Sequence, residues 1–416
     1  MENIIDDLNW RGLIKDYSDE EKMKELLSTP QTIYCGFDPS ASSLHIGNFV
    51  MVSILMRLQR SGHRIIAVVG GATGMIGDPS GKSKERNLLD KEATKNNTEA
   101  IRQQLSRFLD LSDPKKGILI NNYDWLSKLT LLDYLRDYAK YFNVNYMINK
   151  DIVKSRLEAG ISLAEFSYMT LQSIDFLTLH QKEHCNIQIG GSDQWGNLTA
   201  GLELIRKLEP DAKCEVMTAN LITRSDGKKF GKSEDGALFL DPKKTSAYKL
   251  YQFFINQSDE DSVKYLKVFT FLSHEEINAI EKEHLASLGQ RIAQKRLAFE
   301  VTKEIHGEEA ANEAIRMSEC LFKNDFIGLK EDQIEDLFPS NMIFNIASET
   351  NLVDLLISCG AASSKREARE FINNGAVLIN GIQVKDENKI FVTNDGLFNK
   401  YLVLRRGKKN YYLLKY

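Results

Sequence analysis

Four segments of this 416-residue chain hold the residues whose types and spacing suit chemistry. Tyr34-Cys35-Gly36-Phe37-Asp38-Pro39-Ser40-Ala41-Ser42-Ser43-Leu44-His45-Ile46-Gly47-Asn48 runs from an apolar stretch, through an Asp-Pro-Ser turn, into a helix with His45 and Asn48 on one face of its first turn. A helix start at the carboxyl end of a parallel strand presents unpaired N–H groups and a positive dipole end, which suits an anionic phosphate. Gly47 lets a flat group lie against the backbone. In Thr223-Arg224-Ser225-Asp226-Gly227-Lys228-Lys229-Phe230-Gly231-Lys232-Ser233, Lys229 and Lys232 stand three apart around a glycine in a polar loop. Ammonium groups so placed can neutralise charge building on a leaving pyrophosphate. Tyr168, Gln172 and Asp175 form a polar stripe at i, i+4, i+7 on a helix otherwise made of Met169, Leu171, Ile174, Phe176 and Leu177. That stripe either faces water or lines a pocket, and the helix alone leaves both open. In Gln188-Ile189-Gly190-Gly191-Ser192-Asp193-Gln194 the glycines suit close approach of a nucleotide, and Asp193 suits ribose hydroxyls.

Two other patterns look chemical and are set aside. Gly77-Asp78-Pro79-Ser80-Gly81-Lys82-Ser83 resembles a P-loop, but three residues separate its glycines where four are required, and Pro79 removes a needed N–H. His180-Gln181-Lys182-Glu183-His184 formally fits an HxxEH zinc pattern, yet it ends a helix just before a strand, where a histidine has a simpler use against the helix dipole. No metal-ligating residue is assigned.

These segments need elements to position them. Apolar, β-rich runs at residues 32–37, 64–69, 117–120, 186–189 and 215–218 alternate with helical-period segments such as 48–60 and 198–208. The alternation predicts an α/β fold: a doubly wound, parallel-sheet (Rossmann-like) catalytic domain over residues 1–240. Strand signals stop over residues 246–330, which predicts an all-α domain. Residues 331–350 carry Pro339 and little periodicity, and are read as a linker. A small α+β module is expected over residues 351–416, with helices at 352–359 and 365–373 and strands at 376–379, 401–404 and 411–414.

With 42% hydrophobic and 27% charged residues, the composition is that of a soluble globular protein. The formal charge of -4 hides an asymmetry: residues 351–416 hold 11 Lys and Arg against 6 Asp and Glu, net +5, which leaves -9 for residues 1–350. A basic module on an acidic body suits a nucleic-acid partner. Lys365, Arg366 and Arg369 lie along one side of a helix, placed for a phosphate backbone, with a solvated charged face as the alternative. Five scattered cysteines without a CxxC pair indicate no disulfide framework and fit a reducing, cytoplasmic setting. The acidic N-terminal stretch lacks a leader pattern, and no apolar run approaches the roughly 18 residues of a membrane span.

Taken together, His45-Ile46-Gly47-Asn48 and Lys229-Phe230-Gly231-Lys232-Ser233 resemble the HIGH and KMSKS signatures of class I aminoacyl-tRNA synthetases, in the same order. Within that class the chain resembles the bacterial tyrosyl-tRNA synthetases through Tyr34-Cys35-Gly36-Phe37-Asp38-Pro39, Tyr168-Met169-Thr170-Leu171-Gln172-Ser173-Ile174-Asp175 and Gln188-Ile189-Gly190-Gly191-Ser192-Asp193-Gln194-Trp195-Gly196-Asn197, essentially over its whole length. The resemblance implies activation of L-tyrosine by ATP, with Mg²⁺, and transfer of the tyrosyl group to the terminal ribose of tRNA(Tyr), by a cytoplasmic homodimer without a prosthetic group. It implies that Tyr34 and Asp175 meet the phenol hydroxyl, that Tyr168, Gln172 and Asp78 hold the α-ammonium, and that Gln194 lies near the carboxylate. By the same resemblance Cys35, Asp38, His45, Gly47, Asn48, Gly191, Asp193, Lys229, Phe230, Lys232 and Ser233 serve ATP, while His45, Ser40, Lys82, Arg86, Lys229 and Lys232 stabilise the phosphoryl transfer. The tail resembles a small RNA-binding module shared with a ribosomal protein. Asn48 departs from the second signature histidine and implies an altered nucleotide contact, not inactivity. A tryptophanyl enzyme is disfavoured by the Tyr34 and Asp175 pair, and a non-catalytic RNA-binding relative by the intact lysines and His45. The apolar run at 138–148 suits either a dimer interface or the core.

Overall fold

The computed structural model describes residues 3–80, 90–154, 156–157, 160–227, 230–233, 236–326, 328–408 and 410–416, without the side chains of Asp151, Ile152, Lys232 and Ser233. The chain forms two units. One comprises Met1–Gly231, Phe239–Asp241 and Lys267–Phe271; the other comprises Lys232–Leu238, Pro242–Leu266 and Leu272–Tyr416.

In the first unit a six-stranded sheet is built from β1 (Ile14–Tyr17), β2 (Thr32–Phe37), β3 (Arg64–Val69), β4 (Gly117–Asn121), β5 (Cys185–Gly191) and β6 (Glu215–Ala219), in the order β1-β6-β5-β2-β3-β4. Every neighbouring pair is parallel except β1 with β6. The five expected strands are present and mutually parallel, and a sixth strand joins them as an antiparallel edge. Ile-Lys-Asp-Tyr at β1 buries one residue of four and so carries almost no apolar signal. The sequential strands β2, β3 and β4 run to one side, whereas β5 and β6 lie on the other, so the order reverses between β2 and β5. In open α/β sheets ligands bind beyond the carboxyl ends of the strands at such a reversal. β2 ends at Phe37 and β5 at Gly191, each immediately before a segment with candidate chemistry.

Helix Ile46–Arg60 follows β2 with an almost wholly buried body. Helix Lys91–Phe108 was not expected, because its inward seam of Ile101 and Leu105 is narrow in a mostly polar sequence. Helix Leu163–Glu183 starts where Ser162 accepts from Glu165 N and ends at His184 in the left-handed region, φ 54°. Glu165 in its first turn receives a fork from Arg156, Nη2 to Oε2 at 2.9 Å and Nη1 to Oε1 at 3.2 Å, with both side chains buried.

Within the second unit, residues 247–323 include helices Ala247–Ile255, His274–Ala286, Ile292–His306 and Glu308–Lys323. A five-stranded sheet then orders Ile382–Gln383, Val377–Ile379, Tyr401–Arg406, Asn410–Lys415 and Ile343–Asn345. The last of these pairs parallel to Asn410–Lys415, Leu413 opposite Ile343, so residues 331–350 are not a bare connection. Glu335 within them accepts from Tyr401 Oη and Lys415 Nζ, both at 2.7 Å. A three-residue strand is too short to carry a period, which is why this stretch reads as a linker.

The Arg156 fork yields a stability prediction. Arg156→Met leaves the Glu165 carboxylate buried without its partner and should lower stability by about 3–5 kcal/mol, whereas Arg156→Met with Glu165→Leu should recover most of that. Urea unfolding of both variants checks this; equal losses would contradict it.

Candidate active site

At the carboxyl end of β2 the buried polar groups form one chain of hydrogen bonds. Asp175 is 2% exposed, and its oxygens accept from Asn122 Nδ2 at 2.9 Å and Trp125 Nε1 at 2.8 Å. Asn122 Nδ2 also donates to Thr73 Oγ1 at 3.0 Å, Thr73 donates to Asp38 Oδ1 at 2.9 Å, and Asp38 Oδ2 accepts from Tyr168 Oη at 2.8 Å. The stripe of helix Leu163–Glu183 therefore faces the crevice, and the water-facing alternative falls for Tyr168 and Asp175, both buried. Burial pushes the Asp175 carboxyl up to about 7; Asn122 and Trp125 oppose this, and the charge on Asp38 adds to it. The Tyr34 hydroxyl is raised first by burial and then by the charge of Asp175. Burial, then Asp38 and Asp78, raises Tyr168. Gln172 Oε1 is buried and finds no hydrogen-bond partner among the described residues.

Asp78 forms a second knot, its Oδ2 accepting from Gln194 Nε2 at 2.6 Å and its Oδ1 from Ser80 N at 3.0 Å. Asn197 Nδ2 donates to Gln194 Oε1 at 3.0 Å. Thus the β5 segment meets the 77–80 segment, which is why the P-loop likeness misleads: Asp78 turns its carboxylate toward Gln194. Asn122, Trp125, Thr73 and Asn197 were not singled out from the sequence. Asn122, Trp125 and Thr73 are ordinary polar or aromatic residues on other elements, with no spacing that joins them to Asp175, whereas Asn197 stands three residues after Gln194 in the quoted segment.

His45 and Asn48 cap their helix reciprocally. Asn48 N donates to His45 Nδ1 at 3.3 Å, and His45 N donates to Asn48 Oδ1 at 3.0 Å. Gly47 is required by that fold-back, since a Cβ there would lie 2.9 Å from His45 Cε1. The flat group against this glycine is thus the chain's own imidazole. The second signature reaches the first: Gly231, at φ +82°, lies so near Ile46 that a Cβ would come within 2.9 Å of its Cγ2. Leu240 N donates to Leu44 O at 2.8 Å, and His45 bridges Phe239 antiparallel. Phe230 is buried and stacks on Phe269 with ring centres 5.1 Å apart.

Ser40 is exposed at the start of this loop, while Cys35 is buried in β2 with its thiol pushed up by burial. Gly191 and Asp193 stand at the end of β5, where a Cβ on the glycine would meet Asp193 Oδ1 at 2.6 Å. Lys82, Arg86 and Lys229, and the side chains of Lys232 and Ser233, lie outside the described residues. Lys365, Arg366 and Arg369 are exposed on helix Lys365–Asn373 of the second unit, with Lys365 3.5 Å from Asp354 and Arg369 3.4 Å from Glu387. The HxxEH histidines do not converge: His180 Nδ1 lies 3.0 Å from Cys185 O, while His184 is the helix's left-handed cap. No helix among the described residues is long and apolar enough to cross a membrane.

A family model for class I tRNA synthetases (W and Y) matches residues 27–323, and one for the tyrosine--tRNA ligase SYY-like C-terminal domain matches residues 333–414. Tyrosine--tRNA ligases of Bacillus caldotenax and Geobacillus stearothermophilus are each 50% identical over 417 residues, covering 100% of this chain and 100% of their own. The chain belongs to the tyrosine--tRNA ligases. Among solved structures, a C-terminally truncated mitochondrial tyrosyl-tRNA synthetase of Aspergillus nidulans is 30% identical with a TM-score of 0.69, covering 77% of this chain and 95% of that one. A tryptophanyl-tRNA synthetase of Encephalitozoon cuniculi, 14% identical with a TM-score of 0.55, covers 74% of this chain and 87% of its own and shares the fold. The tyrosine--tRNA ligase relatives span the basic tail as well as the crevice, so the whole of both units falls inside the match.

The burial of Asp175 carries an expected pH dependence of stability. An acid with a pKa of about 7 when folded against 3.8 otherwise holds its proton more tightly in the folded chain. It therefore withdraws stability as pH rises from about 4 to about 7, by at most roughly 4 kcal/mol, and nothing further above that. Apparent unfolding midpoints at pH 5 and pH 8 should show this fall in the native chain and lack it in Asp175→Asn; an unchanged slope would place the effect elsewhere.

Proposed function

We propose that this chain catalyses both steps of tyrosine charging, using the buried Asp38–Thr73–Asn122–Asp175 network as the floor of the tyrosine pocket. The observation that carries the reading is a buried carboxylate at one end of a polar chain and, on the same helix between Tyr168 and Asp175, the acceptor Gln172 Oε1, buried without a hydrogen-bond partner among the described residues. A phenol donates to the first and an α-ammonium to the second, and tyrosine carries both. Tyr34 stands beside Asp175 for the hydroxyl, Tyr168 and Asp78 join Gln172 around the ammonium, and Gln194 faces the carboxylate. Asp38 holds Tyr168 in place besides lying on the ATP side.

In the first step the tyrosine carboxylate oxygen bonds to the α-phosphorus of ATP, which enters as its Mg²⁺ complex, and the bond to the bridging oxygen breaks to release pyrophosphate. His45 accepts Asn48 N–H at Nδ1, so its proton sits on Nε2, the atom that can donate to a phosphate oxygen. Ser40, Lys82, Arg86, Lys229 and Lys232 supply further donors and charge, and Cys35, Gly191 and Asp193 take the ribose. Asn48 gives its amide oxygen to the cap, which leaves the donor side of the amide for the nucleotide. Gly47, Phe230 and Ser233 shape the same edge. In the second step a hydroxyl of the terminal tRNA ribose attacks the adenylate carbonyl and AMP leaves. No covalent enzyme intermediate is needed, because positioning and electrostatics suffice.

Lys365, Arg366 and Arg369 meet the tRNA backbone in this reading. The chain acts as a homodimer in the cytoplasm, and Leu131 and Leu132, 70% and 75% exposed, belong to the apolar face that joins the copies. They sit upstream of the run at 138–148, whose Tyr138, Tyr141 and Phe142 are partly buried against the core while Val144 and Tyr146 are exposed.

Tyrosine-dependent ATP–pyrophosphate exchange tests the pocket. Asp175→Ala should cut the exchange rate at low tyrosine by at least about 100-fold, since a buried donor loses a charged acceptor; wild-type exchange would sink the assignment. Cutting after Ser340 should spare exchange and abolish tRNA charging, because a polyanion then meets a body whose first 350 residues carry -9. Full charging by the shortened chain would remove the tail from tRNA binding.

A further inference from the structure

The loop between β2 and helix Ile46–Arg60 is a run of small and polar residues without regular structure, yet two of its members, Ser40 and His45, are asked to meet ATP with a precision of a fraction of an ångström. Backbone groups in such a loop need partners from elsewhere. Helix Lys91–Phe108 supplies them at two points. Asn97 Nδ2 donates to Pro39 O at 3.0 Å, directly before Ser40. Gln104 Oε1 accepts from Leu44 N at 2.9 Å, directly before His45, and from Ser43 Oγ at 3.3 Å. Gln104, Ser43 and Leu44 are all buried, so these bonds do not compete with water. The helix itself is held independently, by the buried seam of Ile101 and Leu105 and by Phe108, whose ring meets Phe49 edge-on at 5.4 Å. The two polar contacts are seven residues apart, about two turns or roughly 10 Å, which spans the loop from its first residues to its last.

We propose that Gln104 and Asn97 are positioning residues for adenylate formation, bracing the loop so that Ser40 and His45 hold a fixed spacing toward ATP. The proposal rests on the reading above that those two side chains serve ATP. Gln104 acts only through its acceptor oxygen, so a carboxylate in its place should serve and an alkyl group should not.

Exchange kinetics and tyrosine binding, followed by intrinsic fluorescence, test this on Gln104→Leu, Gln104→Glu and Asn97→Ala of the full chain. Gln104→Leu should lower the exchange rate constant, or raise the KM for ATP, by about ten- to hundred-fold, with tyrosine affinity within about twofold. Gln104→Glu should stay within about threefold of wild type. Asn97→Ala, which removes one bond at a half-buried site, should lose about three- to tenfold and carries the test if Gln104→Leu fails to fold. Combined with His45→Ala, Gln104→Leu should cost much less than it does alone, since both act through one loop. Wild-type kinetics in Gln104→Leu, an equal loss of tyrosine affinity, or additive losses in the double variant would each overturn the brace. A fully active His45→Ala would sink the ATP reading itself and the brace with it, whereas an impaired His45→Ala beside an unaffected Gln104→Leu would overturn the brace alone.

Discussion

A carboxylate held out of water behind a parallel sheet is the constraint from which the rest of the first unit follows. Asp175 can stay there because Asn122 and Trp125 donate to both its oxygens, and even so burial wins enough to raise its pKa to about 7. Those donors stand just after β4, while Asp175 stands on the helix that leads into β5, so the sheet order must bring the two ends together across β2 and β3. The buried group lies on the helix that leads into β5, next to the crevice at the β2–β5 reversal.

The two signature segments depend on each other in the same way. His45 folds its ring over its own helix start, which Gly47 permits and Asn48 reciprocates. Residues 239 and 240 then return to pair with His45 and Leu44, and Gly231 closes against Ile46. The class departure at Asn48 is intelligible on these terms. An amide oxygen accepts the His45 backbone N–H, so asparagine suits the cap while its amide protons remain the part that can face a nucleotide.

In the second unit, charge and topology divide the labour. Helices from residue 247 on make a body, and residues 351–416 carry the excess of lysine and arginine, three of them on helix Lys365–Asn373. The strand at residues 343–345 and the ion pair of Glu335 with Lys415 tie the stretch before that sheet to it, so the segment is structural and not a free tether.

Much of this was written in local patterns. Runs such as Arg-Ile-Ile-Ala-Val-Val at β3 and the helical period after Gly47 determine elements because burial on both faces leaves a continuous apolar signal. The polar stripe of Tyr168, Gln172 and Asp175, the HIGN and KFGKS segments and the basic tail were likewise legible, since each is a short spacing within one element. Edge strand β1, the polar helix Lys91–Phe108 and the three-residue strand at 343–345 were not, because an element buried along a narrow seam or for one residue leaves no period to read. Which face of the stripe met water was also undecided until the sheet order placed Asn122, Thr73 and Asp38 opposite it. A hydrogen bond between residues 50 or 130 positions apart has no local signature, so only the tertiary structure could join them.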